Sequence, residues 1–466
     1  MEHKKGRDTM GASAKKVDML SGSLFKNIIA FALPFMFTAF IQHLYNAADV
    51  MIVGRYAGRE SLAGVGTTGS ISNLIINFVL GFSVGISVTL GRAIGAKDPD
   101  SIHKTVHTAM SMSVICGAAI SVIGIVFAEP LLRLIDVPDN VMPQAKIYMQ
   151  IIFAGKTPSM IYNFGAAILR AYGETKKPMY IVMVSGVINV ILNLIFVTQF
   201  GMQADGVALA TVISQIFTAV AIIYMLIIRT DESKLFLKKI KLYKEQLFDI
   251  VKIGLPSGLQ SIVFSLSTVL VQSSVNSFGD AVIAGSSAAS NLGNFYNAGV
   301  NAFYQASVTF VSQNVGAKQY RRIDRIIGWC ALDVTFVWII EVLITLFFGR
   351  FLVTLYAPDD PVAVDMGMIR MMCVNCFYGF LGYMNVMCGA LRGIGKSTSA
   401  LISSIAGVCG IRILWIFTVF KKIGTLSSLY ICFPLSWLGT FFFHGIMYLK
   451  ERKKLLSEVP YNQESA

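Results

Sequence analysis

Gln42, Tyr45, Asn46 and Asp49 fall at i, i+3, i+4 and i+7 inside an apolar run. On a helix that spacing sets four polar side chains on one face. Ser70, Asn73 and Asn77 repeat the pattern in the next run, and Asn189 and Asn193 share a face further on. A fourth stripe holds Asn291, Asn294, Asn301 and Gln305, with Tyr296 and Tyr304 nearby. Amides, phenols and a lone carboxylate solvate and coordinate. In an apolar surrounding they either bond helices together or line a wet cavity. Each Asn taken singly fits interhelical bonding. The set as a whole points to a polar, partly wet cavity.

Asp49 stands apart because no other acid in the first six apolar runs lies on such a stripe. In low dielectric, an unpaired carboxylate can bind H+ or Na+ reversibly, as ion-coupled transport requires. The alternative is a structural Asp bonded to Asn or Tyr. Other charges inside apolar runs are Lys156, Asp333, Glu341, Arg370 and Arg412. Lys156 reads as near mid-membrane. There it contacts Asp49 or an anionic substrate, or else it snorkels or pairs structurally.

Enzyme chemistry finds little support. Cys373 and Cys376 form C-x-x-C, but no second pair or histidine cluster completes a metal site, and all seven cysteines lie in apolar runs. Ala390 to Ser397, A-L-R-G-I-G-K-S, approaches a phosphate-binding loop. Its first glycine is replaced by alanine, and an apolar helix precedes it where a strand is needed. His43, His103, His107 and His444 are scattered, and no acid-rich metal motif marks a membrane-embedded transferase. The chain is expected to be neither an enzyme nor cofactor-dependent, and H+ or Na+ is its expected coupling ion.

The elements that must position these residues are membrane helices. Of 466 residues, 55% are hydrophobic and only 14% charged, against about 25% charged in soluble chains. Twelve runs are long enough to cross a bilayer: 27–52, 67–90, 105–128, 145–169, 178–200, 205–228, 253–276, 282–312, 326–348, 365–391, 399–420 and 427–449. Loops on the side of the termini carry 29 Lys and Arg, and the opposite loops carry 7. That asymmetry places both termini in the cytoplasm. It also explains the +13 net charge without nucleic acid. The polar, lysine-containing residues 1–24 lack the apolar core of a cleaved leader and read as a cytoplasmic tail.

The chain repeats itself. Leu33-Pro34 returns as Leu255-Pro256 and Leu169-Arg170 as Leu391-Arg392, each 222 residues later. Ala63-Gly64 and Gly95-Ala96-Lys97 return after 221, and Pro138 after 220. The expected fold is therefore all-α, twelve spans in two parallel six-helix repeats around a central cavity. The N-terminal lobe covers 25–228, a cytoplasmic linker 229–252, the C-terminal lobe 253–450 and a cytoplasmic tail 451–466. Such repeats place a substrate site between the lobes. Pro34 and Pro256 sit inside spans, where proline permits bending. Asp49 corresponds to Val271, so the two lobes are chemically unequal.

The stretch Leu44 to Arg55, L-Y-N-A-A-D-V-M-I-V-G-R, resembles the first helix of multidrug and toxic compound extrusion (MATE) transporters. So do Leu169 to Pro178, Ile188 to Asn193 and Gly206 to Thr211. The likeness runs from about Leu20 to Lys450. It implies efflux of small organic, often cationic, compounds by H+- or Na+-coupled antiport in a bacterial cell membrane, by a monomer. In the branch resembling DNA-damage-inducible members, the cation site maps to Asp49, Asn189, Asn193 and Thr211. Asn193 stands where that branch has Asp, so one carboxylate is missing. The acids of the NorM-like branch have no counterpart in spans seven and ten. The expected substrate cavity is lined by Gln42, Tyr45, Asn46, Asn73, Asn77, Lys156, Asn294, Asn301 and Tyr304. Two other readings remain. One is a lipid-linked or polysaccharide flippase of the same wider superfamily, and the other is the membrane-embedded enzyme set aside above.

Overall fold

The structure, a computed structural model, describes residues 16–457, without the side chains of 57–60, 62, 67, 70, 71, 73 and 74. Asn73 and Ser70 therefore lie outside the described side chains. Long helices follow one another in the expected order. Spans one to three are Leu24–Ile52, Gly58–Ala96 and Pro99–Val126. Span four is a pair, Met142–Ala154 and Lys156–Ala171; spans five and six are Lys176–Leu194 and Ala204–Ile227. Spans seven to nine are Lys244–Asn276, Asp280–Gly316 and Tyr320–Thr354. Span ten joins Pro361–Cys373 to Tyr378–Gly393. Span eleven runs from Ser397 to Ile423 through two π-helical turns, and span twelve from Leu426 to Ser457.

Among the described residues, ten helices are long and apolar enough to cross a membrane. The other two spans fall short for local reasons. Span four breaks at Gly155, because Pro158 in the next turn has no N–H to continue the ladder. Span eight is continuous for 37 residues but rich in Ser, Asn and Gly. Part of its polar set bonds other elements, as Tyr296 does Thr345, Ser307 the Val386 carbonyl and Gln313 the Ala171 carbonyl. Span seven begins at Lys244, earlier than its apolar run. The linker ahead of it folds as a short 3-10 turn, Leu237–Lys239.

The two lobes meet at the side that carries the termini. Spans two and seven approach so closely there that a Cβ on Gly85 would lie 2.3 Å from the Ile250 carbonyl oxygen. One on Gly81 would lie 2.3 Å from the Gly258 nitrogen. Gln313 Nε2 donates to the Ala171 carbonyl at 2.6 Å, from one lobe to the other. Nearer mid-span, Phe40 and His43 of span one pack on Phe295 of span eight. Within the stretch read from sequence as tail, Val17 and Met19 are packed against the lobes. Val17 N–H bonds the Gly173 carbonyl of the first lobe at 3.3 Å. Met19 is buried in the core of the second, where its carbonyl accepts from Asn314 at 3.0 Å.

Candidate cation site and polar cavity

Spans one, five and six bring four polar residues into one chain of hydrogen bonds. Asn193 Nδ2 donates to Asp49 Oδ1 and also approaches Asn189 Oδ1 at 3.4 Å. Asn189 Nδ2 donates to Thr211 Oγ1 at 3.3 Å, and Thr211 donates to the Val207 carbonyl at 3.0 Å. Asn189 and Asn193 are buried, while Asp49 is half-buried. A hydrogen bond to a charged acceptor is worth about 1.5–3 kcal/mol, so Asn193 fixes the carboxylate firmly. Asn193 Oδ1, in contrast, is buried with no partner. An unused amide oxygen beside a carboxylate, with Asn189 Oδ1 and Thr211 Oγ1 close by, is a set of hard oxygen donors. Such a set suits H+ or a hard cation.

The local backbone contributes. A π-helical turn, Ile195–Gln199, follows span five directly after Asn193 and Leu194, and another, Val53–Ala57, follows Asp49 on span one. Wide turns of this kind often occur at functional positions. Tyr45, one turn before Asp49, packs its ring toward Gly186 of span five. Tyr148 of span four lies within electrostatic reach of Asp49; nothing in the sequence pattern singled it out.

The expected cavity residues divide. Asn46, Asn77, Asn294 and Asn301 are exposed, and Gln42 is half-buried. Asn297 joins Asn294 and Asn301 on the exposed stripe of span eight, whose other faces pack on both lobes. This stripe therefore looks into the space between the lobes. Tyr304 is turned away from it: its hydroxyl bonds Arg392, which also donates to Gln260 at 2.7 Å. Lys156 is buried, with its ammonium 5.7 Å from the Phe153 ring centroid and no ion pair to Asp49 among the described residues. Its place at the break in span four, with no acid beside it among the described residues, was not readable from spacing. Among the described residues no cluster of three His, Cys, Asp or Glu could hold a metal ion.

A bundle of membrane-spanning helices in two repeated lobes, with a polar interior and a held carboxylate, is the build of a membrane transporter. The family model MatE matches residues 34–195 and again 256–418, one match in each lobe. The chain belongs to the MATE family of multi-pass membrane transporters. It is 26% identical over 397 residues to "Probable multidrug resistance protein YpnP" of Bacillus subtilis, covering 84% of this chain and 87% of that one. It is 24% identical over 430 residues to "Probable multidrug resistance protein NorM" of Thermotoga maritima, covering 89% and 88%. Among solved structures it resembles a MOP superfamily transporter from Pyrococcus furiosus, with TM-score 0.89 and 22% identity over 96% of this chain and all of that one. That likeness shows the twelve-helix fold.

Proposed function

We propose that this protein is a secondary active exporter of organic, often cationic, compounds, driven by the inward flow of H+ or Na+. One observation carries the reading: Asp49 is held by Asn193, whose own amide oxygen is buried and unused. A cation arriving at Asp49, Asn189, Asn193 and Thr211 neutralises the carboxylate and releases a cationic substrate that it had attracted. The substrate sits between the lobes, along Gln42, Asn46, Asn77, Asn294 and Asn301. Methionine and aromatic side chains near by, such as Met36, Phe40 and Phe295, give adaptable apolar contact. The names of the relatives, multidrug resistance proteins, agree with this reading. The distribution of Lys and Arg supports an orientation with both termini on the cytoplasmic side. With that orientation the side where the two lobes meet is cytoplasmic. The protein acts as a monomer.

The test is efflux of ethidium from proteoliposomes under an imposed H+ or Na+ gradient, wild type beside Asp49→Asn. Gradient-driven efflux that is lost in the variant is expected. Equal efflux from both removes Asp49 from the mechanism. A second reading, a flippase for lipid-linked substrates, draws on the buried cations Lys156, Arg370 and Arg412. It gains if no organic cation moves under either gradient and a labelled lipid-linked substrate does.

A further inference from the structure

The interior of the C-terminal lobe carries the opposite charge at the matching place. Tyr148, Val190, Thr211 and Ser214 lie in or beside the Asp49 cluster, and 222 residues later stand Arg370, Arg412, Phe433 and Ser436. Both arginines are buried, Arg370 at 8% and Arg412 at 4% exposure. They flank one ring: their guanidinium carbons lie 5.7 and 4.4 Å from the Phe433 centroid. Arg412 donates from Nε to Ser436 Oγ at 3.0 Å and from Nη1 to Ser267 Oγ at 3.2 Å. Arg370 Nη1 donates to Ser286 Oγ at 2.7 Å.

Two features leave this cluster incomplete. Among the described residues neither arginine has an ion pair, and the buried acids of the lobe, Asp333 and Glu341, pair with neither. A charge inside a membrane protein is normally neutralised by a partner, and here two like charges share one apolar neighbourhood. Donors are also left over. Arg370 Nε is buried without a partner. The Tyr430 hydroxyl, fully buried, faces Arg370 and Ser286 but makes no well-formed hydrogen bond. The Arg370 guanidinium lies 5.5 Å from the Tyr430 ring centroid, so the two orphan donors belong to neighbouring side chains.

We propose that the C-terminal lobe binds a small inorganic anion of the chloride class between Arg370 and Tyr430. Arg370 Nε and the Tyr430 hydroxyl donate to it, and Arg412 supplies the second positive charge. Two leftover donors suit a monatomic anion, which needs few donors and imposes no acceptor geometry of its own. The two lobes then hold ions of opposite sign, a cation in the first and an anion in the second. Chloride would act as a fixed counter-ion that holds spans ten and twelve together.

The experiment is thermal unfolding of the purified, detergent-solubilised full chain, with chloride replacing gluconate at constant cation and constant ionic strength. A saturable rise in midpoint of roughly 2–4 °C is expected for the wild type. Bromide should reproduce it and sulfate should not. Arg370→Gln should lose the rise. Tyr430→Phe, which removes a single hydroxyl and keeps the ring, should need roughly 5–10-fold more chloride for the same shift. A rise that does not saturate, one that survives in Arg370→Gln, or a Tyr430→Phe titration that overlays the wild type would overturn the proposal. If Arg370→Gln does not fold, the Tyr430→Phe titration decides alone. The readout needs no transport, so it stands or falls separately from the antiport reading.

Discussion

Asn193→Asp probes the proposed cation site most sharply. In the structure the Asn193 amide nitrogen donates to Asp49 Oδ1 from within hydrogen-bonding range, and Asn193 is fully buried. The substitution turns that donor into a second carboxylate with nowhere to retreat. Two unit negative charges 4 Å apart, at an effective dielectric of about 20, repel by about 4 kcal/mol. At 1.36 kcal/mol per decade this is roughly three orders of magnitude in an equilibrium constant. One extra H+ or Na+ between the carboxylates removes the repulsion. The variant should therefore carry one more cation per cycle than the wild type. The assay is the limiting substrate ratio in proteoliposomes, at zero membrane potential, against the imposed cation gradient. If the wild type carries one cation, a tenfold gradient sustains a ratio of about 10, and the variant about 100. In cation-free medium the variant should also melt earlier and recover on adding the coupling ion. Equal slopes for the two proteins would refute the argument that Asn193 and Asp49 form one site.

Three further outcomes are expected. Lys156→Met should raise the thermal stability of the purified protein by about 1–3 kcal/mol, since it removes a buried charge that has no acid partner among the described residues; a loss of stability would mean that the ammonium is compensated. Gly85→Leu should hold spans two and seven apart at the termini side, because its Cβ would collide with the Ile250 carbonyl; spin labels across the two spans should then report a longer mean distance than in the parent, and an unchanged distance would contradict it. In the linker, burial acts to raise the Asp231 carboxyl, but hydrogen bonds from Arg229 and Ser233 win and bring it down to about 2. A depressed carboxyl contributes stability above its unfolded value near 3.9 and loses it as pH falls toward 2. The unfolding midpoint should therefore drop between about pH 4 and pH 2, and Arg229→Gln should flatten that drop.

Much of the fold could be read from composition and from the 222-residue repeat, because membrane spans and duplicated halves leave long-range marks. Spans four and eight were legible as runs, although neither passes as a simple apolar helix: Pro158 breaks one, and the other is rich in Ser, Asn and Gly. The hydrogen-bonded cluster around Asp49 was legible in part. Helical spacing aligned Asp49 with its stripe and Asn189 with Asn193, and resemblance alone joined Thr211 to them. What spacing could not supply was contact between distant segments. Arg370 and Arg412 were visible as intramembrane charges, yet nothing in their spacing showed that Phe433 lies between them. Tyr304 fits the polar stripe by number, but its hydroxyl reaches inward to Arg392. Met19 looked like part of a solvated tail, and only packing shows that it fills a core position.

That buried methionine gives the molecule a built-in reporter. Residues 16–23 touch both lobes at the face where they meet, through Val17 on one side and Met19 on the other. Any motion that separates the lobes at this face must break either the Val17 contact or the Met19 one, and so loosen the segment. Susceptibility of this short stretch to a protease therefore counts the fraction of time the molecule spends open toward its termini. Substrate and coupling ion, each added alone, would move that fraction without any label being attached.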